Sequence, residues 1–235
     1  MRPYALIASA ALCAVATLNA QSFTTHPCGN NSDDRGTIAR FFGGAEQACE
    51  LRTTTFPLVS GHLNVESMNG GIEVIGEDRQ DIALEARVTA RAGSQSDAAD
   101  ILHQITIATG GTVEAHGPKV SGSRNWSVSY KLHVPHHLAG DVRVSTTNGG
   151  VHATLDGTTW RGSRLDLGTT NGAISVSVPA NYSAHLKAET TNGGISLNHP
   201  AADQSGVHRH EIDTNLGSGG PTISFTTTNG GISIQ

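Results

Sequence analysis

One short pattern recurs five times in this chain, and it constrains the fold more than any other feature. Asn-Gly occurs at Asn69-Gly70, Asn148-Gly149, Asn171-Gly172, Asn192-Gly193 and Asn229-Gly230, followed in turn by Gly71, Gly150, Ala173, Gly194 and Gly231. Two residues before each Asn stands Ser67, Thr146, Thr169, Thr190 or Thr227, and four before stands Val65, Val144, Leu167, Ala188 or Phe225. Three after comes Ile72, Val151, Ile174, Ile195 or Ile232, and five after comes Val74, Ala153, Val176, Leu197 or Ile234. Apolar residues thus alternate on both sides of every copy, which is the strand period with one face buried. Asn and Gly both tolerate positive φ, so each pair predicts a tight turn between two strands.

Steps of 79, 23, 21 and 37 residues lead from Asn69 through Asn148, Asn171 and Asn192 to Asn229. A unit of 21 to 23 residues fits one coil of a β-solenoid, where equivalent residues of successive units stack in register. The Asn side chains then form a ladder along the turns, and the aliphatic positions form an inner column. The alternative is a β-sandwich of stacked hairpins, because Asn-Gly between alternating runs is also a hairpin signal. The near-identity of the five copies favours an all-β solenoid. The longest gap predicts further strands at residues 82–86 and 128–132. It also predicts one short helical insertion at residues 97–107, capped by Ser96. Residues 198–210 read as a polar excursion, and residues 231–235 as an open sheet edge able to pair with another molecule.

Composition agrees with short strands: 28 of 235 residues are Gly, and charged residues make up 15% of the chain. The net charge of −5 and the lack of a basic run exclude a nucleic-acid surface as the expectation. Residues 1–20 read as an export signal, with Met1-Arg2, an apolar stretch and Leu18-Asn19-Ala20 before the cleavage point. The apolar stretch falls short of the roughly 18 residues of a membrane span. The reading is therefore an extracytoplasmic protein in the periplasm, at the cell surface or secreted, with no membrane span after cleavage. Cys28 and Cys49 then remain as an even pair in an exported chain, which predicts a disulfide. It closes a loop of about twenty residues and stabilises by about 3 kcal/mol. The expected layout is a signal peptide at 1–20, a stapled segment at 21–54 and a β-strand-repeat domain at 55–235.

The repeats, Thr-Thr-Asn-Gly-Gly followed by Val or Ile, resemble the "putative adhesin" β-strand-repeat family of exported bacterial proteins, a domain family of unknown function. Residues 62–81, which hold His-Leu-Asn-Val-Glu-Ser-Met-Asn-Gly-Gly-Ile, resemble its opening unit, as does Tyr130-Lys131-Leu132-His133-Val134-Pro135 before the later repeats. The resemblance covers residues 58–235. It implies a right-handed β-helix-like fold and a surface or envelope location, and it carries over no catalytic residues.

Chemical motifs are sparse. The glycines lie between strands and lack the context of a phosphate loop. The repeats carry Ser, Thr or Asn where calcium β-rolls need Asp. His208-Arg209-His210 and His136-His137, with Glu211 or Asp213, are the candidate metal ligands, but a site needs three or four that converge. No cofactor or metal is expected. The enzymatic alternative is a β-helix polysaccharide lyase or hydrolase, whose chemistry needs clustered carboxylates. Asp156 and Asp166, with Arg161 and Arg164 between them, are the nearest grouping. Trp126 and Trp160, the sole tryptophans, are candidate sugar platforms. The favoured reading is a non-catalytic adhesin or scaffold whose partner is an unknown envelope protein or surface glycan.

Overall fold

The computed structural model describes residues 22–28, 45–58, 61–135 and 140–235. The expected export signal and His136-His137 lie outside these residues.

The described chain is β-structure with one helix. Its strands are β1 (Thr24–Pro27), β2 (Glu46–Phe56), β3 (His62–Asn69), β4 (Ile72–Glu77), β5 (Ile82–Ala92), β6 (Thr106–Ala108), β7 (Thr112–His116), β8 (Asn125–Pro135) and β9 (Asp141–Asn148). They continue as β10 (Val151–Thr154), β11 (Arg164–Asn171), β12 (Ile174–Ser177), β13 (Ala184–Asn192), β14 (Ile195–Leu197), β15 (Glu211–Leu216), β16 (Thr222–Asn229) and β17 (Ile232–Ile234). The helix α1 (Gln95–His103) follows β5. One sheet has the order β1-β2-β5-β8-β4-β10-β12-β17-β14, the other β15-β13-β16-β11-β9-β3-β7-β6.

Each repeat places one strand in each sheet. The strand before an Asn-Gly lies in the eight-stranded sheet and the strand after it in the nine-stranded sheet. No copy is a hairpin, because its two strands never pair with each other. They pair instead with the equivalent strands of neighbouring copies, parallel and in register: Asn171 stands opposite Asn148 on one side and Asn229 on the other. This is the solenoid arrangement.

Alternation explains the core. Leu63, Val142, Leu165, Ile223 and Leu186 form one inward column, and Val65, Val144, Leu167, Phe225 and Ala188 form the next. Ile72, Val151, Ile174 and Ile232 face them from the other sheet. Burying each large side chain contributes roughly 1.5–3 kcal/mol.

Two expectations need correction. The units do not stack in chain order. The unit of Asn229 lies between those of Asn171 and Asn192, with β16 between β11 and β13 and β17 between β12 and β14. The last strand is therefore an interior strand of its sheet and not an open edge. The excursion at residues 198–210, with a single 3-10 turn (Gln204–Gly206), makes this order possible. It leads into β15, which pairs antiparallel with β13 and ends that sheet.

The insertion in the longest gap closes the opposite end. β5 pairs antiparallel with β8 and β2, and β1 pairs with β2. The helix is capped by Ser94, not Ser96, and at Gln95–His103 it spans fewer residues than expected. The Ser94 hydroxyl accepts the Asp97 N–H at 3.1 Å, and Ser96 lies already inside the first turn. The helix buries Ala98, Ile101 and Leu102 against β2 and β5. Cys28 and Cys49 are joined by a disulfide, with their Cα atoms 5.6 Å apart.

Candidate functional site

The five turns stack into one continuous edge. The amide of Asn148 donates to Asn69 Oδ1 at 2.9 Å, Asn171 to Asn148 at 2.9 Å, Asn229 to Asn171 at 2.8 Å and Asn192 to Asn229 at 2.9 Å. All the donors point the same way, so the ladder has a donor end at Asn69 and an acceptor end at Asn192. Five units at the usual strand spacing extend roughly 19 Å. All five Asn residues are exposed.

Each Thr-Thr doublet splits between inside and outside. The first Thr is buried and reaches into the next turn. Thr146 donates to the Gly70 carbonyl, Thr169 to Gly149 and Thr190 to Gly230, each at 2.8 Å, and Thr227 donates to Gly172 at 3.0 Å. The second Thr faces solvent, giving an exposed column Thr147, Thr170, Thr228 and Thr191 that ends in the exposed Met68. The sequence reading singled out the first Thr of each doublet and missed the second. Alternation past a buried position was the signal for it.

The glycines serve a purpose different from the one expected. Among the described residues no non-glycine has positive φ, and of the five glycines after Asn only Gly70 does, at 147°. Close stacking is the reason for Gly. A Cβ on Gly149 would lie 2.2 Å from the Gly70 carbonyl oxygen, one on Gly172 2.0 Å from Gly149, and ones on Gly230 and Gly193 1.9 Å from Gly172 and Gly230. Backbone packs on backbone at the turn, and any side chain would separate the units.

Charged residues decorate the outer face of the eight-stranded sheet in pairs. Asp166 lies 3.5 Å from Arg143 and 3.8 Å from Arg164. Lys187 lies 3.0 Å from Asp213, and its hydrogen bond holds that carboxyl below its ordinary range. On the other sheet the Arg79 guanidinium does the same for Glu77. These groups neutralise one another across a solvated surface.

The proposed acid pair is not brought together. Asp166 faces outward on β11, whereas Asp156 follows β10, with its carboxylate near Gly76 and close enough to raise the Tyr182 phenol further above its ordinary range, beyond what burial does. Arg164 belongs to Asp166 and Arg161 is exposed. His208 and His210 lie just before β15, His210 in a bend, and not on one side of a strand. Among the described residues no group of three His, Cys, Asp or Glu is placed to hold a metal ion. Trp160 is buried at 2% exposure, whereas Trp126 is half-buried at the donor end of the ladder.

The model of the Toastrack DUF4097 family matches residues 60–235. The chain belongs to that family. The Toastrack match spans all five repeats and agrees with the resemblance read from them. A solved structure described as "a putative cell adhesion protein from Clostridium sporogenes ATCC 15579" shares 12% identity. It covers 81% of this chain and 98% of its own, with a TM-score of 0.42. Another, described as "a putative adhesin (BF0245) from Bacteroides fragilis NCTC 9343", shares 10% identity over 79% of this chain and 97% of its own, with a TM-score of 0.21. No curated protein matches the chain. Among the described residues no helix is long and apolar enough to cross a membrane.

Proposed function

We propose that this Toastrack protein is a non-catalytic, exported surface or envelope protein that acts as an adhesin or scaffold. The observation that carries this reading is the exposed edge of stacked turns, where Thr147, Thr170, Thr228 and Thr191 recur beside the Asn ladder at each step. A rigid repeat of one polar group at a fixed spacing suits a partner that also repeats, and many weak contacts then add through avidity. The Cys28–Cys49 disulfide supports an oxidising compartment, and the adhesin-type repeats support a surface location.

The test is a binding assay of the purified chain on intact cells and envelope fractions. Saturable binding is expected. It should fall at least tenfold when Thr170 and Thr228 are both replaced by Lys, and should be indifferent to Asp156→Ala. Absence of any cell or envelope binding, or loss of binding through Asp156→Ala alone, would count against the reading.

A further inference from the structure

The Asn ladder ends beside a pocket. Asn69 accepts from Asn148, but its own amide N–H has no acceptor among the described residues. Beyond Asn69 the place of a further repeat is taken by β7 in one sheet and β8 in the other, and Val128 stands where another turn glycine would, its carbonyl accepting from the Ser67 hydroxyl at 2.9 Å. The ladder's last donor is thus left at a pocket of about 230 Å³ lined by Glu66, Met68, Asn69, His116 and Trp126.

The pocket has two kinds of wall. Trp126, Met68, Ala115 and Val128 make an apolar side. The indole is held in place by its N–H, which donates to the Pro118 carbonyl at 3.0 Å. Gly117 lies flat against it, since a Cβ there would come within 2.8 Å of the ring. The polar side holds the Asn69 amide, the exposed Glu66 carboxylate and His116, which lies 3.0 Å from Glu114. Glu66 and Glu114 stand opposite each other on β3 and β7.

From this arrangement we infer that the pocket at the donor end of the ladder binds a single neutral glycosyl residue. An occupant must offer an acceptor to Asn69, donors to Glu66 and an apolar face to Trp126 and Met68. A hydroxylated ring meets all three needs, because its hydroxyls both donate and accept while its C–H face is apolar. The Glu66 carboxylate in the lining repels a uronate or sulfated sugar. An alkylammonium has no acceptor for Asn69. The volume lies below the roughly 300–1,000 Å³ of sites for larger ligands, so one ring fits rather than a chain. The inference rests on the surface-adhesion reading and adds a separate contact at one end of the same edge.

Trp126 and Trp160 are the two tryptophans, and Trp160 is buried, so intrinsic fluorescence reports on the pocket. The purified chain is titrated with methyl glycosides of neutral hexoses and N-acetylhexosamines, and separately with methyl glucuronoside and n-butylammonium. A saturable change is expected with at least one neutral glycoside and with neither charged probe. Glu66→Gln, at an exposed position with no ion pair among the described residues, should weaken binding about tenfold. Trp126→Phe, followed by calorimetry, should weaken it as well. Binding of a charged probe in preference, no response to any neutral glycoside, or unchanged affinity in both variants would overturn the assignment. The cell-binding assay on the wild-type chain separates the two claims. Cell binding by a chain that ignores every glycoside sinks the pocket alone, whereas a wild-type chain that binds no cell or envelope sinks the wider reading.

Discussion

Gly168 and Gly172 lie four residues apart in one repeat, yet the structure asks different things of them. A Cβ on Gly172 would meet the Gly149 carbonyl at 2.0 Å, whereas one on Gly168 would meet nothing closer than 3.8 Å. Gly172→Ala must push one backbone off another and should cost about 3 kcal/mol. Gly168→Ala sits in extended backbone with room outside and should stabilise by about 0.5–1 kcal/mol, since Gly loses more freedom on folding. Urea unfolding midpoints at constant slope would measure both. Equal effects would show that turn stacking is not what requires glycine. The sequence showed that Gly follows Asn in every copy, but not why. Close approach between units is a property of their register, and a single copy read alone suggests positive φ instead.

Among the elements, α1 shows how an insertion is tied to the repeat. Arg52 on β2 donates to the Ile105 carbonyl and to the Leu102 carbonyl at 3.0 Å, and Glu50 lies 2.9 Å from its guanidinium. It thereby satisfies carbonyls at the helix C-terminus, where a cation also suits the helix dipole. Arg52→Ala should cost about 2 kcal/mol. Amide exchange should speed up at Ala98, Ile101 and Leu102 ahead of the stacked strands. Uniform acceleration across the molecule would instead show that the helix and the repeats open together. The existence of this helix was legible from its composition. Its start was not, because Ser94 and Ser96 are equally good caps on paper, and the choice depends on which one meets the Asp97 N–H. The strands of the repeats were legible as well, since alternation marks both faces. Their spatial order was hidden for a physical reason. The units of Asn192 and Asn229 share Thr-Thr-Asn-Gly-Gly-Ile-Ser, so either one offers the unit of Asn171 the same ladder, hydroxyl and aliphatic contacts. The candidate pocket was hidden too, because Asn69, His116 and Trp126 meet only once the insertion folds back along β3.

For the whole molecule, the order of the units makes residues 222–234 a wedge between two parts of the chain that precede it. β16 pairs with β11 and β13, β17 pairs with β12 and β14, and Asn229 both donates to Asn171 and accepts from Asn192. Phe225 fills the core column at that level with no exposed surface. The wedge is reached through Gly217, Gly219 and Gly220, all at positive φ, and then Pro221, so the link itself adds little packing. A chain ending at Gly220 should keep its other units but expose two parallel edges across an empty slot. It should melt lower than the intact chain, and a synthetic peptide of residues 221–235 should bind it and restore most of the loss, because parallel pairing, the ladder and the Phe225 contact are all available in trans. Phe225→Ala in the peptide removes about 3–5 kcal/mol of core contact and should weaken this binding at least a hundredfold. Asn229→Ala, which breaks two exposed hydrogen bonds, should weaken it less. If the shortened chain melted like the intact one and ignored the peptide, the units of Asn171 and Asn192 would have to close directly on each other, and the stacking order would carry no energetic weight.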